Sequence, residues 1–295
     1  MKKLLILSGK GGTGKTTTAA AFIRFSEAKA VADCDVDAPN LHLVSNIEEE
    51  PEQSIFYGSD KAFIDSEKCI GCGSCISQCR FHAVRPEENG TYQIIDYACE
   101  GCGVCESVCP AGAVTMKTDE AGEKSLYRKD KVFSTATLKM GRGNSGKLVT
   151  EVKKAMQAAA ADDTEIAIID GSPGIGCPVI ASVSGVDMVL IVAEPSLSGL
   201  SDLKRILKTA SVLRTKVVVC VNKYDTNVDK TEEIRNFCEK ENVPFVGKVP
   251  YDKKASAAIN EGLSIAEYDC PAKDALYKVY KNTMEILTGT PAGFR

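Results

Sequence analysis

Gly9-Lys10-Gly11-Gly12-Thr13-Gly14-Lys15-Thr16 follows the apolar run Leu4-Leu5-Ile6-Leu7 and opens a stretch of helical periodicity reaching to about Ala28. A glycine-rich loop set between a strand and a helix is a phosphate cradle of the Walker A kind. Its glycines let backbone N–H groups close on phosphates. Lys15 neutralises the β and γ phosphates, Thr16 offers a hydroxyl to Mg²⁺, and the helix N-terminus adds a positive dipole. Gly11, Gly12, Thr13, Gly14, Lys15, Thr16 and Thr17 are therefore the expected contacts of ATP or ADP, with Thr16 also the expected Mg²⁺ ligand. A chance glycine-rich turn is the plainer alternative, but it does not explain a strand on one side and a helix on the other.

Working outward, strands and helices alternate. Residues 29–34 read as a second strand. Residues 41–60, acidic at Glu48-Glu49-Glu50-Pro51-Glu52, read as an irregular linker. Residues 147–161 form a helical pattern with Leu148, Val152, Ala155, Met156 and Ala159 on one face. Strands are expected over 165–170, 188–193, 216–222 and 244–249, with helices over 200–213 and 231–241 between them. Val217-Val218-Val219-Cys220-Val221 is a near-continuous apolar run, which suits a parallel strand buried on both faces. The expected fold is α/β, a doubly wound and mostly parallel sheet of the P-loop NTPase kind.

Two copies of one cysteine run interrupt this alternation. Cys69-x2-Cys72-x2-Cys75-x3-Cys79 is repeated as Cys99-x2-Cys102-x2-Cys105-x3-Cys109, with Pro110 after the second. Gly71, Gly73, Ala83 and Val84 recur as Gly101, Gly103, Ala113 and Val114. This is the ligand spacing of a bacterial-type ferredoxin with two [4Fe–4S] clusters, in which the fourth cysteine of each run serves the other cluster. Cys69, Cys72, Cys75 and Cys109 are thus expected on one cluster, and Cys99, Cys102, Cys105 and Cys79 on the other. Arg80 stands where the second run has Pro110, which alters the turn but leaves every sulfur in place. Zinc is the rival, since paired Cys-x2-Cys loops also hold it. The doubled three-plus-one spacing favours clusters, and the polar stretch 118–124 closes the insert. The expected organisation is an ATPase part over 1–57, a small α+β ferredoxin insert over 58–118, and a second ATPase part over 119–295.

Composition narrows the function. The net charge is −4, Trp is absent and aromatics are 6%, so no basic, base-stacking surface for nucleic acid is expected. No apolar run approaches the roughly 18 residues of a membrane span. The apolar start is too short for a signal peptide before the glycine loop begins, so it reads as a first strand. Thirteen cysteines, eight of them in ligand spacing, fit a reducing cytoplasm rather than a disulfide framework. Cys34, Cys220, Cys238 and Cys270 lack partner spacing and read as core or surface residues. His42 and His82 are the only histidines, too few for a histidine metal site. The stripe Leu276, Val279, Tyr280, Thr283 and Leu287 reads as a core-facing helix rather than a membrane-binding one.

The extra lysine in Lys10-Gly11-Gly12-Thr13-Gly14-Lys15-Thr16-Thr17 resembles the deviant Walker A loop of the MinD/ParA/Mrp superfamily (SIMIBI-type), which includes the nitrogenase iron protein. Asp33-Cys34-Asp35-Val36-Asp37-Ala38-Pro39-Asn40-Leu41 resembles its switch I and Asp170-Gly171-Ser172-Pro173-Gly174 its switch II. The resemblance covers residues 1–45 and about 145–295. It implies an ATPase that dimerises across the nucleotide, with Lys10 reaching the partner's phosphates and Lys10, Lys15 and Asp35 carrying catalysis. Asp35 would orient the attacking water, and Asp170 would bind Mg²⁺ through water. Asn222 and Pro250 fall where the family contacts the adenine; a strand-ending Asn and a turn Pro are the plainer readings. The whole arrangement resembles superfamily members with an inserted ferredoxin domain, here lying between the two switches. Cys177 sits seven residues after Asp170, much as a cluster-ligating cysteine of the nitrogenase iron protein does. A small buried cysteine at a helix start is the favoured reading of it.

These expectations point to an ATP-dependent iron–sulfur protein acting on a redox partner or a metallo-cofactor client. In one version ATP turnover drives electron transfer; in the other it serves cofactor assembly. The eight cluster cysteines are fully used, so the clusters are expected to stay in place. A ParA/MinD-like positioning switch with redox-sensing clusters is the alternative. A ligase of the cobyrinic acid synthase kind ranks last, since no glutaminase Cys/His pair is present.

Overall fold

The computed structural model describes residues 1–44, 47 and 49–289. The chain begins β1 (Lys2–Leu7), α1 (Lys15–Ser26), β2 (Ala30–Asp33), a 3₁₀ turn at Leu41–Val44, β3 (Glu52–Tyr57) and β4 (Lys61–Ile64). It continues α2 (Ser74–Gln78), β5 (Val84–Pro86), β6 (Tyr92–Ile94), α3 (Val104–Ser107), β7 (Val114–Lys117), β8 (Glu120–Tyr127) and β9 (Val132–Leu138). Then come α4 (Ser145–Ala159), β10 (Ile166–Asp170), α5 (Cys177–Val183), β11 (Met188–Ala193), α6 (Leu197–Val212) and β12 (Lys216–Asn222). The last elements are α7 (Val228–Lys240), β13 (Phe245–Val249), α8 (Lys253–Asn260) and α9 (Pro271–Thr288).

Two compact units share the chain. One contains Met1–Gln53, Lys124–Thr137 and Gly146–Arg295; the other contains Ser54–Glu123 and Leu138–Ser145. The main sheet has strand order β13-β12-β11-β1-β10-β2-β9-β8-β3. From β13 through β9 every neighbouring pair is parallel. Its inner strands are apolar on both faces because helices cover both: Leu4, Leu5, Ile6 and Leu7 of β1 are all fully buried. On one face α1 and α9 pack together, with Phe22 fully buried and edge-on to Tyr280 at 5.3 Å. The expected stripe of α9 is spent there: Leu276, Val279, Thr283 and Leu287 are buried and Tyr280 packs against the same core.

Three strands depart from the expected reading. The expected linker 41–60 contains β3, and most of the polar stretch 118–124 lies within β8; Glu48 lies outside the described residues. In β3 only Phe56 is buried, so its sequence carries little apolar signal. Polar, charged strands at a sheet edge read as loops for this reason. β9 was not read as a strand either: its β-branched and aromatic residues (Val132, Phe133, Thr135, Thr137) are mixed with Ser134 and Ala136 and give no continuous apolar run, and its pairing with β2 extends the parallel sheet.

The second unit has two short antiparallel ladders, β4-β7 and β5-β6, and the short helices α2 and α3. Its core is small: Ala62, Ile64, Ala83, Val84 and Val114 with Cys75 and Cys99. Gly73 and Gly103 occupy matching left-handed positions before α2 and α3, as the internal repeat requires.

Candidate functional site

Every residue of the expected nucleotide site leaves the same end of the parallel sheet. The glycine loop follows β1, Asp33 ends β2, Asp170 ends β10, Asn222 ends β12 and Pro250 follows β13. The carboxyl ends of parallel strands are where α/β folds build ligand sites. Gly12 and Gly14 hold φ of 77° and 92°, and α1 starts at once at Lys15, leaving its first N–H groups free to meet an anion. A cavity of about 540 Å³ opens beside this loop, bordered by Lys15, Thr16, Asp35, Asn222 and Pro250. Thr13 Oγ1 is buried with no hydrogen-bond partner among the described residues. The cradle, the free helix end and this orphan hydroxyl all fit a bound polyphosphate.

Lys15 is sunk among carboxylates. Its Nζ lies 2.8 Å from Asp170 Oδ1 and 3.6 Å from Asp35 Oδ2. Thr16 Oγ1 donates to Asp170 Oδ2 at 2.8 Å, so the two residues expected to serve Mg²⁺ already share one point. Burial works to strip the Lys15 proton, but Asp170, Asp35 and Asp33 outweigh it and hold the ammonium charged. Burial, followed by the Asp170 charge and against Lys15, raises the Asp35 carboxyl above its ordinary range. Asp35 therefore borders the cavity with its carboxyl beside the Lys15 ammonium.

Asp33 has a role the sequence did not reveal. Its Oδ1 accepts the Asp35 N–H at 3.0 Å, and its Oδ2 accepts those of Asn40 and Leu41 at 3.1 and 3.0 Å. One carboxylate thus ties both ends of the loop that carries Asp35. Burial and the neighbouring Asp170 push its pKa up to about 7. Ser172 Oγ donates to the Cys34 carbonyl and Gly174 N to the Ser8 carbonyl, joining the segment after β10 to the one after β2 and to the glycine loop.

Asn222 Nδ2 donates to the Thr13 carbonyl at 2.7 Å, and Lys223 Nζ donates to the Gly12 carbonyl at 2.8 Å. Both residues border the cavity, but these bonds brace the glycine loop. Lys223 was not expected; following a strand-ending Asn gives no signal by itself. Pro250 borders the cavity beside Tyr251 and Asp252, and Tyr251 N donates to Asp225 at 2.7 Å. Lys10 also borders the cavity, yet its Nζ is 2.6 Å from Glu194 of the same chain.

The cysteines of the second unit gather around two separate small cavities. One is lined by Cys69, Cys72, Cys75 and Cys109, the other by Cys79, Cys99, Cys102 and Cys105. Each takes three sulfurs from one run and the fourth from the other. Cys79 Sγ accepts the Ala83 N–H and Cys109 Sγ the Ala113 N–H, both at 3.3 Å, so the two halves repeat in hydrogen bonding too. A Cβ on Gly101 would lie 2.1 Å from the Asp60 carbonyl oxygen, and one on Gly71 2.5 Å from that of Gly90. Glycine is thus required where each loop turns tightly at positive φ. No group of three or more His, Cys, Asp or Glu among the described residues could hold a single metal ion. Cys34, Cys220, Cys238 and Cys270 are buried, as core cysteines. Cys177 corrects its favoured reading: it is at the start of α5 but exposed, not buried.

The family model for the CobQ/CobB/MinD/ParA nucleotide binding domain matches residues 4–265. The chain belongs to this family of MinD/ParA-like P-loop ATPases. Family membership accounts for the sheet, the glycine loop and the nucleotide cavity together. An uncharacterized protein of Methanocaldococcus jannaschii is 30% identical over 292 residues, 97% of each chain. An iron-sulfur cluster carrier protein of the same organism is 22% identical, over 97% of this chain and 85% of its own. The cell division ATPase MinD of Pyrococcus furiosus shares the fold with a TM-score of 0.56 at 17% identity, over 97% of this chain and 99% of that one. Among the described residues no helix is long and apolar enough to cross a membrane.

Proposed function

We propose that this MinD/ParA-family ATPase is an iron–sulfur protein that works as a dimer across its nucleotide. Its inserted module would hold two [4Fe–4S] clusters, and nucleotide turnover would gate electron transfer from them to a partner protein. The observation that carries the reading is the sorting of eight cysteines around two cavities, three from one run and one from the other in each. Zinc draws four sulfurs to about 2.3 Å from one point, whereas a cubane spreads its ligands around a larger centre. When bound, the clusters would supply one-electron chemistry, and the chain would supply the thiolates and the amide donors of Ala83 and Ala113.

At the other unit, Lys15 would leave its carboxylates for the β and γ phosphates, and Thr16 with Asp170 would hold Mg²⁺. Asp35 would orient the attacking water, Asn222 and Pro250 would flank the base, and Lys10 would reach the second copy's phosphates. Phosphoryl transfer needs little more than such positioning and charge neutralisation. A second reading, delivery of a cluster or metal to a client, is supported by the relatives named as iron-sulfur cluster carriers. It would need a site beyond the eight cavity-lining thiols, and Cys177, which is exposed and follows Asp170–Gly174, offers one.

Anaerobic reconstitution tests the reading. About eight irons per chain are expected, with the spectrum of cubane clusters. The dithionite-reduced protein is then mixed with an oxidised viologen dye, or with an apo iron–sulfur protein, with and without MgATP. ATP-dependent dye reduction with no loss of iron supports the electron-transfer reading. Iron transfer to the apo protein, abolished by Cys177→Ser, supports delivery. Failure to bind iron in cubane form rejects both.

A further inference from the structure

Lys10 has a partner within its own chain. Its ammonium lies 2.6 Å from Glu194 Oε2 and 3.4 Å from Ser198 Oγ. Both acceptors belong to the short segment between β11 and the first turn of α6, and backbone bonds fix that segment. Ser196 N donates to the Glu194 carbonyl at 2.8 Å, and Ser196 Oγ caps α6 by accepting Gly199 N at 3.0 Å. The Ser196 and Ser198 hydroxyls are 3.1 Å apart. A Cβ on Gly199 would fall 2.1 Å from the Glu194 carbonyl oxygen, so glycine there lets the helix start against that peptide. The Glu194 carboxylate therefore stands on a fixed support.

The two loop lysines are held in different ways. Lys15 is buried among three carboxylates, whereas the Lys10 and Glu194 side chains are 41% and 25% exposed. A solvent-facing ion pair is weak and readily exchanged. Its ammonium is a point charge on a flexible stem, able to turn to a new partner. The Lys10 backbone stays fixed meanwhile, since Ser8 Oγ donates to its carbonyl at 2.9 Å.

We propose that Glu194 is a positioning residue that parks Lys10 in the single chain and yields it only to the polyphosphate of a second copy. The inference rests on the dimer reading above and adds a residue to it. One carboxylate competes with the phosphates for Lys10. A triphosphate carries more negative charge than a diphosphate, so it draws the lysine away more strongly. Glu194 thereby sets a threshold that the polyphosphate of a second copy must overcome before the dimer closes.

Glu194→Gln keeps the shape and removes the competing charge. The dimer dissociation constant of the full chain is measured by sedimentation with Mg²⁺ and a non-hydrolysable ATP analogue, and with MgADP. In low salt the variant is expected to dimerise about threefold to fivefold more tightly with the analogue. The gain should shrink in roughly 0.5 M salt, where screening weakens the parked pair. On a Lys10→Ala background the same substitution should change nothing. Ser198→Ala should act in the same direction and more weakly. A Glu194→Gln dimer that is unchanged or looser overturns the parking role, while weakening by Lys10→Ala alone leaves the dimer reading intact. A Lys10→Ala chain that dimerises as tightly as the unaltered one removes the reach of Lys10 to the partner's phosphates and this inference with it, whereas an unaltered chain that stays single with the analogue removes the dimer reading itself.

Discussion

Lys15 and Asp33 show how much of the site is an electrostatic balance struck before any ligand arrives. Three carboxylates, Asp33, Asp35 and Asp170, surround one buried ammonium. Removing one partner of a buried pair leaves uncompensated charge and costs about 3–5 kcal/mol. Lys15→Ala should therefore lower the stability of the nucleotide-free protein by about that much, read by urea unfolding, besides abolishing ATP turnover. Adding Asp170→Asn should recover part of the stability and none of the turnover. Asp33 makes a prediction in pH. Its pKa rises from 3.8 to about 7 on folding, through burial and then the charge of Asp170. Between those values the folded chain keeps a proton that the unfolded chain has lost. Stability should fall as pH rises through this window, and the full cost should stand above pH 7. Thermal melting of the nucleotide-free protein from pH 5 to 8 checks this, and Asp33→Asn should flatten the slope. The pairing of Lys10 with Glu194, by contrast, joins residues far apart in sequence, and no local motif could have announced it.

The elements legible in sequence were those with two buried faces or a glycine signature. β1, β10, β11 and β12 are near-continuous apolar runs, and α1 is announced by the loop that feeds it. β3 and β8 were not legible: β3 is exposed over most of its length and β8 is mostly half-buried, so neither shows an apolar alternation to read. The same divide runs through the site. Loop and strand-end residues were visible as motifs, whereas the bracing of the loop by Asn222 and Lys223 is a product of tertiary pairing. A further tertiary device joins α4 to α5. Lys153 Nζ donates to the carbonyls of Ala181, Ser182 and Ser184 at 2.8, 2.7 and 2.6 Å. It thus satisfies carbonyls that the end of a helix leaves without partners. Lys153→Met keeps the stem but leaves these acceptors bare, at a cost of about 1–3 kcal/mol. Hydrogen exchange should quicken over α5, and the exposed Cys177 at its start should alkylate faster. Unchanged exchange there would mean that α5 is held by its packing alone.

At the scale of the whole molecule the two units differ in what can hold them together. The sheet unit has a continuous apolar core running from Leu4 and Ile6 through Phe22 to Val279 and Leu287. The other unit has a handful of small aliphatic residues and relies for the rest of its core on cysteines, with Cys75 and Cys99 inside and Cys69, Cys79, Cys105 and Cys109 against it. A core this small supplies little stability, and modules of this size depend on metal or disulfide staples. The cysteines are free thiols among the described residues; the proposed clusters would be the staple, and their binding energy would be folding energy for that unit alone. Chelating the iron should then unfold one unit and spare the other. Hydrogen exchange should become fast over 61–117 while β1, β10 and β11 stay protected, and the melt should split into two transitions. Restoring iron under reducing, anaerobic conditions should rejoin them. Cys79→Ser or Cys109→Ser should each weaken the cavity lined by the opposite run, because each thiol crosses over. If iron removal instead lowered protection evenly across both units, or left 61–117 untouched, the cysteines would not be the staple.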